Sequence, residues 1–441
     1  MVSVVMKRLG RRNLFSLFLY VFLFLFFVTL HADQLSVHIS IFNFRLNNLL
    51  ALILGVVFFC FFKTGVLEFK KEIAVGVIAF LFVSALSSFF SIYGYRTRFY
   101  LCFAGFTVLF YFLLPYLMMM FFDEKKLLKV YWLSFCVVGL YACGQLVLSM
   151  AGINDPAMRQ RMMFFGRPNA LAYEPSYYAL YMAPYTFFIN SMAIVGGQKD
   201  KKTDVSKIIW ANIFFIVSTS TGVLYAYMVF AVITFLLMSS HVRQFSLKNT
   251  KRFLAFLAIC LAGILFGSIF MEDFFAASFF KFFIAGTQHH SFFERWHGII
   301  DSWNIFLENP FFGVGLGGIA PYTAKMLGHN ISVVDIKKFE PMNVTMELFA
   351  SLGIVGVLSC LALFIMYYKS YKRARENPCV DKYEKNVVFS LFVSTLVMLV
   401  VLQFNAGLFR TYIWVHIAIT WAYMNKINKK ATLQSASECI D

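Results

Sequence analysis

"GRPNALAYEPSYYALYM" (residues 166–182) sets Arg167 and Glu174 seven positions apart at the lip of an apolar run that continues to residue 195. Hydrocarbon offers neither charge a partner, so both must face water or a charged ligand. The run itself has the length, about 20 residues, that crosses a hydrocarbon layer of roughly 30 Å as a helix. The same pattern recurs along the chain. Of its 441 residues 60% are hydrophobic, 56 are phenylalanine, and the mean hydropathy is +0.72. A soluble core has no use for that much apolar surface. The expected fold is therefore an all-α polytopic membrane protein with about 12 transmembrane helices. They fall near 14–30, 46–62, 73–90, 100–122, 130–151, 176–195, 208–221, 222–240, 253–270, 346–368, 387–404 and 409–424. The seventh ends in "STSTG" (218–222), which also reads as a turn or a re-entrant break.

Charge fixes the expected orientation. With a cytoplasmic amino terminus, 27 of the 39 Lys and Arg lie in cytoplasmic segments, in flanks such as "DEKKLLK", "QKDKKTDVSK" and "KSYKRAR". Twelve fall outside, five of them in one long loop where the positive-inside rule has little force. Both termini are then cytoplasmic. The net charge of +17 follows from topology and anionic membrane lipids, and nucleic acid is not needed to explain it. The basic, apolar start is read as an uncleaved first span, since no small-residue cleavage site follows it. All eight cysteines sit in expected spans or inside segments, so neither a disulfide framework nor a spaced metal motif is expected.

Three parts follow: residues 1–270 with nine spans and an outer loop at 152–175, a large outer loop at 271–345, and residues 346–441 with three spans and a cytoplasmic tail. A loop of that length is usually functional or disordered, and this one is too rich in Phe and Trp for disorder. In "SFFERWHGIIDSWNIFLENP", Phe292, Trp296, Ile299, Ile300, Trp303 and Leu307 form one helical stripe, and Glu294, His297, Asp301 and Glu308 the other. That predicts an amphipathic helix on the outer membrane surface or over the bundle. The following "GVGLGG" (313–318) matches a dinucleotide fingerprint in letters alone. It lacks the strand before it and the βαβ unit around it, and reads as a tight turn, with amides free to face an anion. His289, His290 and His297 lack a carboxylate at ligand spacing, and no metal is expected. In 152–175, Arg159, Arg161 and Arg167 run against the positive-inside trend. Arginine suits planar, bidentate bonds to phosphate, and equally suits snorkelling to lipid headgroups.

Three segments carry a family resemblance. "RPNALAYEPSYYALYM" resembles the Arg…Gly-Leu-Phe…Glu-Pro segment before the sixth span of bacterial O-antigen polymerases and the related O-antigen ligases, with Ala170 where that family often has Gly. "ERWHGIIDSWNIFLENPFFGVGLGG" is similar to the Arg…Trp…Phe…Asn-Pro…Gly-x-Gly segment of the family's large periplasmic loop. "PMNVTMELFASLGIVGVL" resembles its Pro-His-Asn…Leu-Glu…Leu-Gly…Gly segment, with Met342 at the histidine on which the ligase branch relies. His329 stands 13 positions earlier and could substitute.

The resemblance implies an inner-membrane glycosyltransferase-type polymerase of polysaccharide biosynthesis, lipopolysaccharide O-antigen among its products. It would join oligosaccharide repeat units carried on undecaprenyl pyrophosphate, with lipid pyrophosphate as leaving group and no cofactor. Arg167 and Arg295 are then candidates to stabilise the departing pyrophosphate, and Glu174 to serve as general base or as ion-pair partner of Arg167. Arg161, Trp296, His329 and Glu347 are candidates for substrate binding. Membrane lipids, a chain-length regulator and a flippase are the expected partners. The alternatives are a ligase that moves glycan to lipid A core, or a transporter of lipid-linked or polysaccharide substrate. The nine-and-three split and the scarcity of charge in the central spans, His416 excepted, speak against the transporter.

Overall fold

The computed structural model describes residues 12–39, 42–61, 71–91, 93–153, 155–158, 161–162, 165–195, 201–218, 220, 222–239, 290–328, 339–341, 343–404 and 407–438. The expected span at 253–270, the first part of the long loop, His329 and Met342 lie outside the described residues.

Helices run through every other expected span. They are α1 (Arg12–Thr29), α2 (Leu46–Phe61), α3 (Lys71–Phe90), α4 (Gly94–Phe121), α5 (Glu124–Met150), α6 (Pro175–Val195), α7 (Lys201–Ile216) and α8 (Gly222–Ser239). After the long loop come α11 (Val344–Glu376), α12 (Lys382–Val401) and α13 (Thr411–Glu438), while α9 (His290–Glu308) and α10 (Ile319–Met326) belong to the loop. Five of these, α3, α4, α5, α11 and α12, are long and apolar enough to cross a membrane by length and composition. Shorter apolar stretches occupy Leu17–Thr29, Leu46–Cys60, Val205–Ile216 and Tyr225–Met238. Two short antiparallel pairs complete the described elements: β1 (Ser36–Ile39) with β2 (Phe42–Arg45), and β3 (Arg161–Met162) with β4 (Phe165–Gly166).

The helices α6, α12 and α13 line the centre. Leu180, Met182, Phe187, Val388, Leu391, Val415 and Ile419 there are almost fully buried, whereas Val75, Ile78 and Phe82 of α3 point outward. That outward apolar surface is what a lipid-facing helix needs. Many polar side chains inside the bundle are paired, although Ser191, Thr234 and Ser390 bury hydroxyls without a partner among the described residues. His416, the ionisable group expected in a span, has Nδ1 3.2 Å from the Tyr131 hydroxyl and Nε2 3.1 Å from Ser394 Oγ.

Helix α11 is broken at Gly353 (φ 62°, ψ −167°). The turn after α9 docks into the break. Val314 N–H donates to Ala350 O, Gly315 N–H to Ser351 O, and Ile354 N–H to Pro310 O, at 2.9, 2.9 and 2.8 Å. Only glycine fits at 353, where a Cβ would lie 2.3 Å from the Phe311 carbonyl oxygen. The glycine turn thus spends two of its amides on α11 carbonyls, a structural use in place of an anion cradle. In α9 the inward row is Ser302 and Ile305, and Trp303 and Phe306 touch Phe349. Trp296, Ile300, Trp303 and Leu307, four members of the expected apolar stripe, are exposed. Apart from the contact of Trp303 with Phe349, that stripe therefore faces away from the protein, as on a helix lying at a membrane interface.

Candidate functional site

One end of the bundle carries the β1–β2 hairpin, the described parts of the 151–174 loop, the glycine turn and the starts of α4, α6, α11 and α13. We refer to it as the hairpin end. Its irregular backbone is held by side-chain amides. Gln145 Oε1 accepts from Asn169 N–H and Ala170 N–H at 3.2 and 2.9 Å, and Asn169 Nδ2 donates to Ala157 O and Ala172 O. Gln34, at the foot of the hairpin, donates from Nε2 to the same two carbonyls at 2.7 and 2.8 Å. The Tyr173 hydroxyl lies 3.2 Å from Ser36 Oγ and accepts from Asn43 Nδ2. Ala170 is held at φ 50°, in the left-handed region that glycine favours. This is the position where the resembled family often has Gly.

On that scaffold sit Arg167 and Glu174. Arg167 is half-buried; burial pushes its pKa down, and the Glu174 carboxylate beside it works in the opposite direction. Glu174 Oε2 accepts from Ser176 Oγ at 3.1 Å, and its backbone carbonyl receives the Tyr177 and Tyr178 amides that start α6. Arg167 and Glu174 are thus electrostatic neighbours. Arg295, on α9, acts instead on Tyr225 of α8. Arg161 lies in β3, its backbone opposite Gly166. Trp296 is exposed on α9. Glu347, in the first turn of α11, accepts at Oε2 from the Gly407 and Leu408 amides at 3.3 and 3.2 Å, and so holds the loop between α12 and α13.

That loop brings in charges that sequence reasoning missed. Asp33, 2% exposed, accepts ion pairs from two arginines. Arg45 Nη1 lies 2.8 Å from its Oδ1, and Arg410 Nη1 lies 3.1 Å from its Oδ2. The Arg410 guanidinium carbon sits 3.5 Å from the centre of the Tyr177 ring. Burial works against its charge, and the adjacent Asp33 carboxylate compensates it. The Glu174 carboxylate acts on Arg410 as well as on Arg167, and so joins the two groups. Nearby, Arg96 donates from Nε to Gly317 O at 2.8 Å and pairs with Glu340 at 3.4 Å, tying α4 to the glycine turn. His31 is buried with its ring centre 4.8 Å from that of Tyr181, in a tilted contact, and burial lowers its pKa to about 4 against the pull of Asp33.

In sequence, Asp33, Arg45 and Arg410 are single charges at span ends, each legible only as a headgroup anchor. No group of His, Cys, Asp and Glu suited to a metal ion occurs among the described residues.

Residues 208–361, roughly a third of the chain, match the O-antigen ligase family. No curated protein matches the chain. The matched stretch contains α9, the glycine turn and the broken start of α11, so the match supports the family resemblance drawn from those segments. Members of that family are enzymes acting on lipid-linked glycans, and the match fits both the ligase and the polymerase type.

Proposed function

We propose that the chain is a polymerase of the bacterial inner membrane that joins oligosaccharide repeat units carried on polyprenyl pyrophosphate at the periplasmic face. The observation that carries this reading is that half-buried Arg167 and Glu174 lie within electrostatic reach of each other at the hairpin end, where the family-matched glycine turn is also anchored. In the reaction a sugar hydroxyl of one unit attacks the anomeric carbon of the other. The new glycosidic C–O bond forms as the bond to pyrophosphate breaks, and the lipid pyrophosphate leaves with the electron pair. Glu174 takes the hydroxyl proton, and Arg167, with Arg295 delivered by the long loop, stabilises the developing negative charge. Preorganised donors aimed at such charge are a large source of rate acceleration. Arg161, Trp296 and His329 are assigned to the substrate. Glu347 is assigned to positioning, since its carboxylate already holds two loop amides.

The topology belongs to the same proposal: twelve spans, cytoplasmic termini, and 271–345 as a periplasmic loop between residues 1–270 and 346–441. A cysteine placed at exposed Leu327 is expected to react with an impermeant thiol reagent from the periplasm. Protection until the inner membrane is opened would overturn the orientation. A chain-length regulator and a flippase are the proposed partners. Deletion of the gene tests the reaction: single repeat units on lipid A core are expected. Loss of all O-antigen from core would transfer the proposal to the ligase branch, the second reading, which the family match fits as well.

A further inference from the structure

We propose that Arg410 binds a phosphoryl group of the lipid-pyrophosphate substrate, and that Asp33, Arg45 and Gly407 position its guanidinium for that contact. The inference rests on the function proposed above and adds a residue from the last loop, outside the family-matched segment.

Donor accounting is the first observation. A guanidinium has five N–H donors in a planar fork. Among the described residues, that of Arg410 makes one side-chain hydrogen bond, to Asp33. The side chain keeps 13% exposure, so its other donors are not sealed in the interior. An arginine whose only task was to neutralise Asp33 would compete with Arg45, which already reaches the other carboxylate oxygen.

Orientation is the second observation. The Tyr177 ring fixes the plane of the fork, and the Arg410 amide bonds to Gly407 O at 3.1 Å. Gly407 stands at φ 139°, and a Cβ there would lie 2.7 Å from Arg410 Cγ and 3.0 Å from Nε. Glycine therefore leaves the room in which the side chain folds back. The position of the glycine is set in turn by the Glu347 carboxylate, which accepts its amide.

Charge is the third. Arg45 and Arg410 share one carboxylate, which leaves a net positive charge on a nearly buried group. Glu174 lies within electrostatic reach of both Arg410 and Arg167. Two arginines from separate loops thus flank the residue assigned to the acceptor proton. A planar fork with spare donors and excess positive charge is suited to phosphoryl oxygens.

The test uses the full chain in phosphatidylcholine nanodiscs and a short-chain polyprenyl pyrophosphate as probe. The unaltered chain is expected to bind it saturably, and a large excess of phosphatidylglycerol in the disc is expected not to displace it. The double variant Asp33→Asn/Arg410→Gln keeps the net charge and a hydrogen bond between the two positions. We expect it to stay folded, with a lowered unfolding temperature because Arg45 loses its carboxylate partner, and to bind the probe at least tenfold more weakly. Unchanged affinity in this folded variant would overturn the inference and leave the proposed function standing. Displacement by phosphatidylglycerol would overturn it too, by making the site a headgroup anchor. Failure of the unaltered chain to bind would overturn both. If the double variant does not fold, Arg410→Lys, which keeps a counter-ion for Asp33 but loses the fork, decides the matter: weaker binding supports the inference and unchanged binding overturns it.

Discussion

The two ends of the bundle each bury one carboxylate between two cations, and they use the arrangement differently. At the end opposite the hairpin, Glu124 is flanked by Lys426 and Lys430 of α13. Lys426 donates to the carbonyls of Met119 and Phe122 and to Glu124, which spends all three of its N–H groups on closing the turn between α4 and α5. At the hairpin end Asp33 is flanked by Arg45 and Arg410, and Arg410 keeps most of its donors unspent among the described residues. The same ratio of charges serves closure at one end and leaves binding capacity at the other. Counting ion pairs would not separate them, whereas counting donors does.

The largest effect that can break this comparison is on stability. Removing one partner of a buried ion pair leaves an uncompensated charge and costs about 3–5 kcal/mol. Asp33→Ala strands two arginines and is expected to lose that much, measured by thermal unfolding in detergent. A loss under about 1 kcal/mol would mean that the group is solvated like a surface pair. Next is catalysis. Arg167→Ala is expected to slow chain elongation by roughly 10²–10³-fold at normal protein level, the usual effect of losing one transition-state donor. Arg167→Lys should recover part of that rate, because it restores charge without the fork. Near-normal polymer length in the alanine variant would remove Arg167 from the site and leave it as a headgroup anchor.

Smaller effects sharpen the contrast. Ala170→Gly should stabilise the fold by about 0.5–1 kcal/mol: relief of a left-handed alanine is worth about 1–2 kcal/mol, partly offset by the greater freedom of glycine in the unfolded chain. A destabilised Ala170→Gly protein would show that the alanine methyl packs better than its backbone suffers. Lys430→Ala, at a half-exposed partner of Glu124, should cost about 0.5 kcal/mol or less and leave polymer length unchanged. A shortened polymer there would extend function to the closing end.

Much of the helical layout was legible because apolar runs of span length have few other uses. That Arg167 and Glu174 would lie near one another was legible as well, since both stand at the lip of one run. The break at Gly353 was not: "SLGIVGVL" reads as continuous apolar helix, and only the docked carbonyls of Pro310 and Phe311 explain the glycine. The Asp33–Arg45–Arg410 group was hidden for a different reason. Its members are brought together by tertiary packing across 377 positions, and each alone resembles an interfacial anchor. The sequence left the stripe of α9 open between membrane surface and bundle, because periodicity identifies an apolar face and says nothing of whether protein or lipid covers it.

The most direct test of the central claim is polymerisation by the purified chain in nanodiscs, supplied only with the polyprenyl-pyrophosphate-linked repeat unit of its own host. The account predicts a ladder of lengthening lipid-linked glycan and release of one lipid pyrophosphate for each unit added, both lost in Glu174→Gln and Arg167→Ala proteins that remain folded. A folded, unaltered chain that binds the substrate yet yields neither ladder nor pyrophosphate lipid, or variants that polymerise as well as it does, would contradict the account.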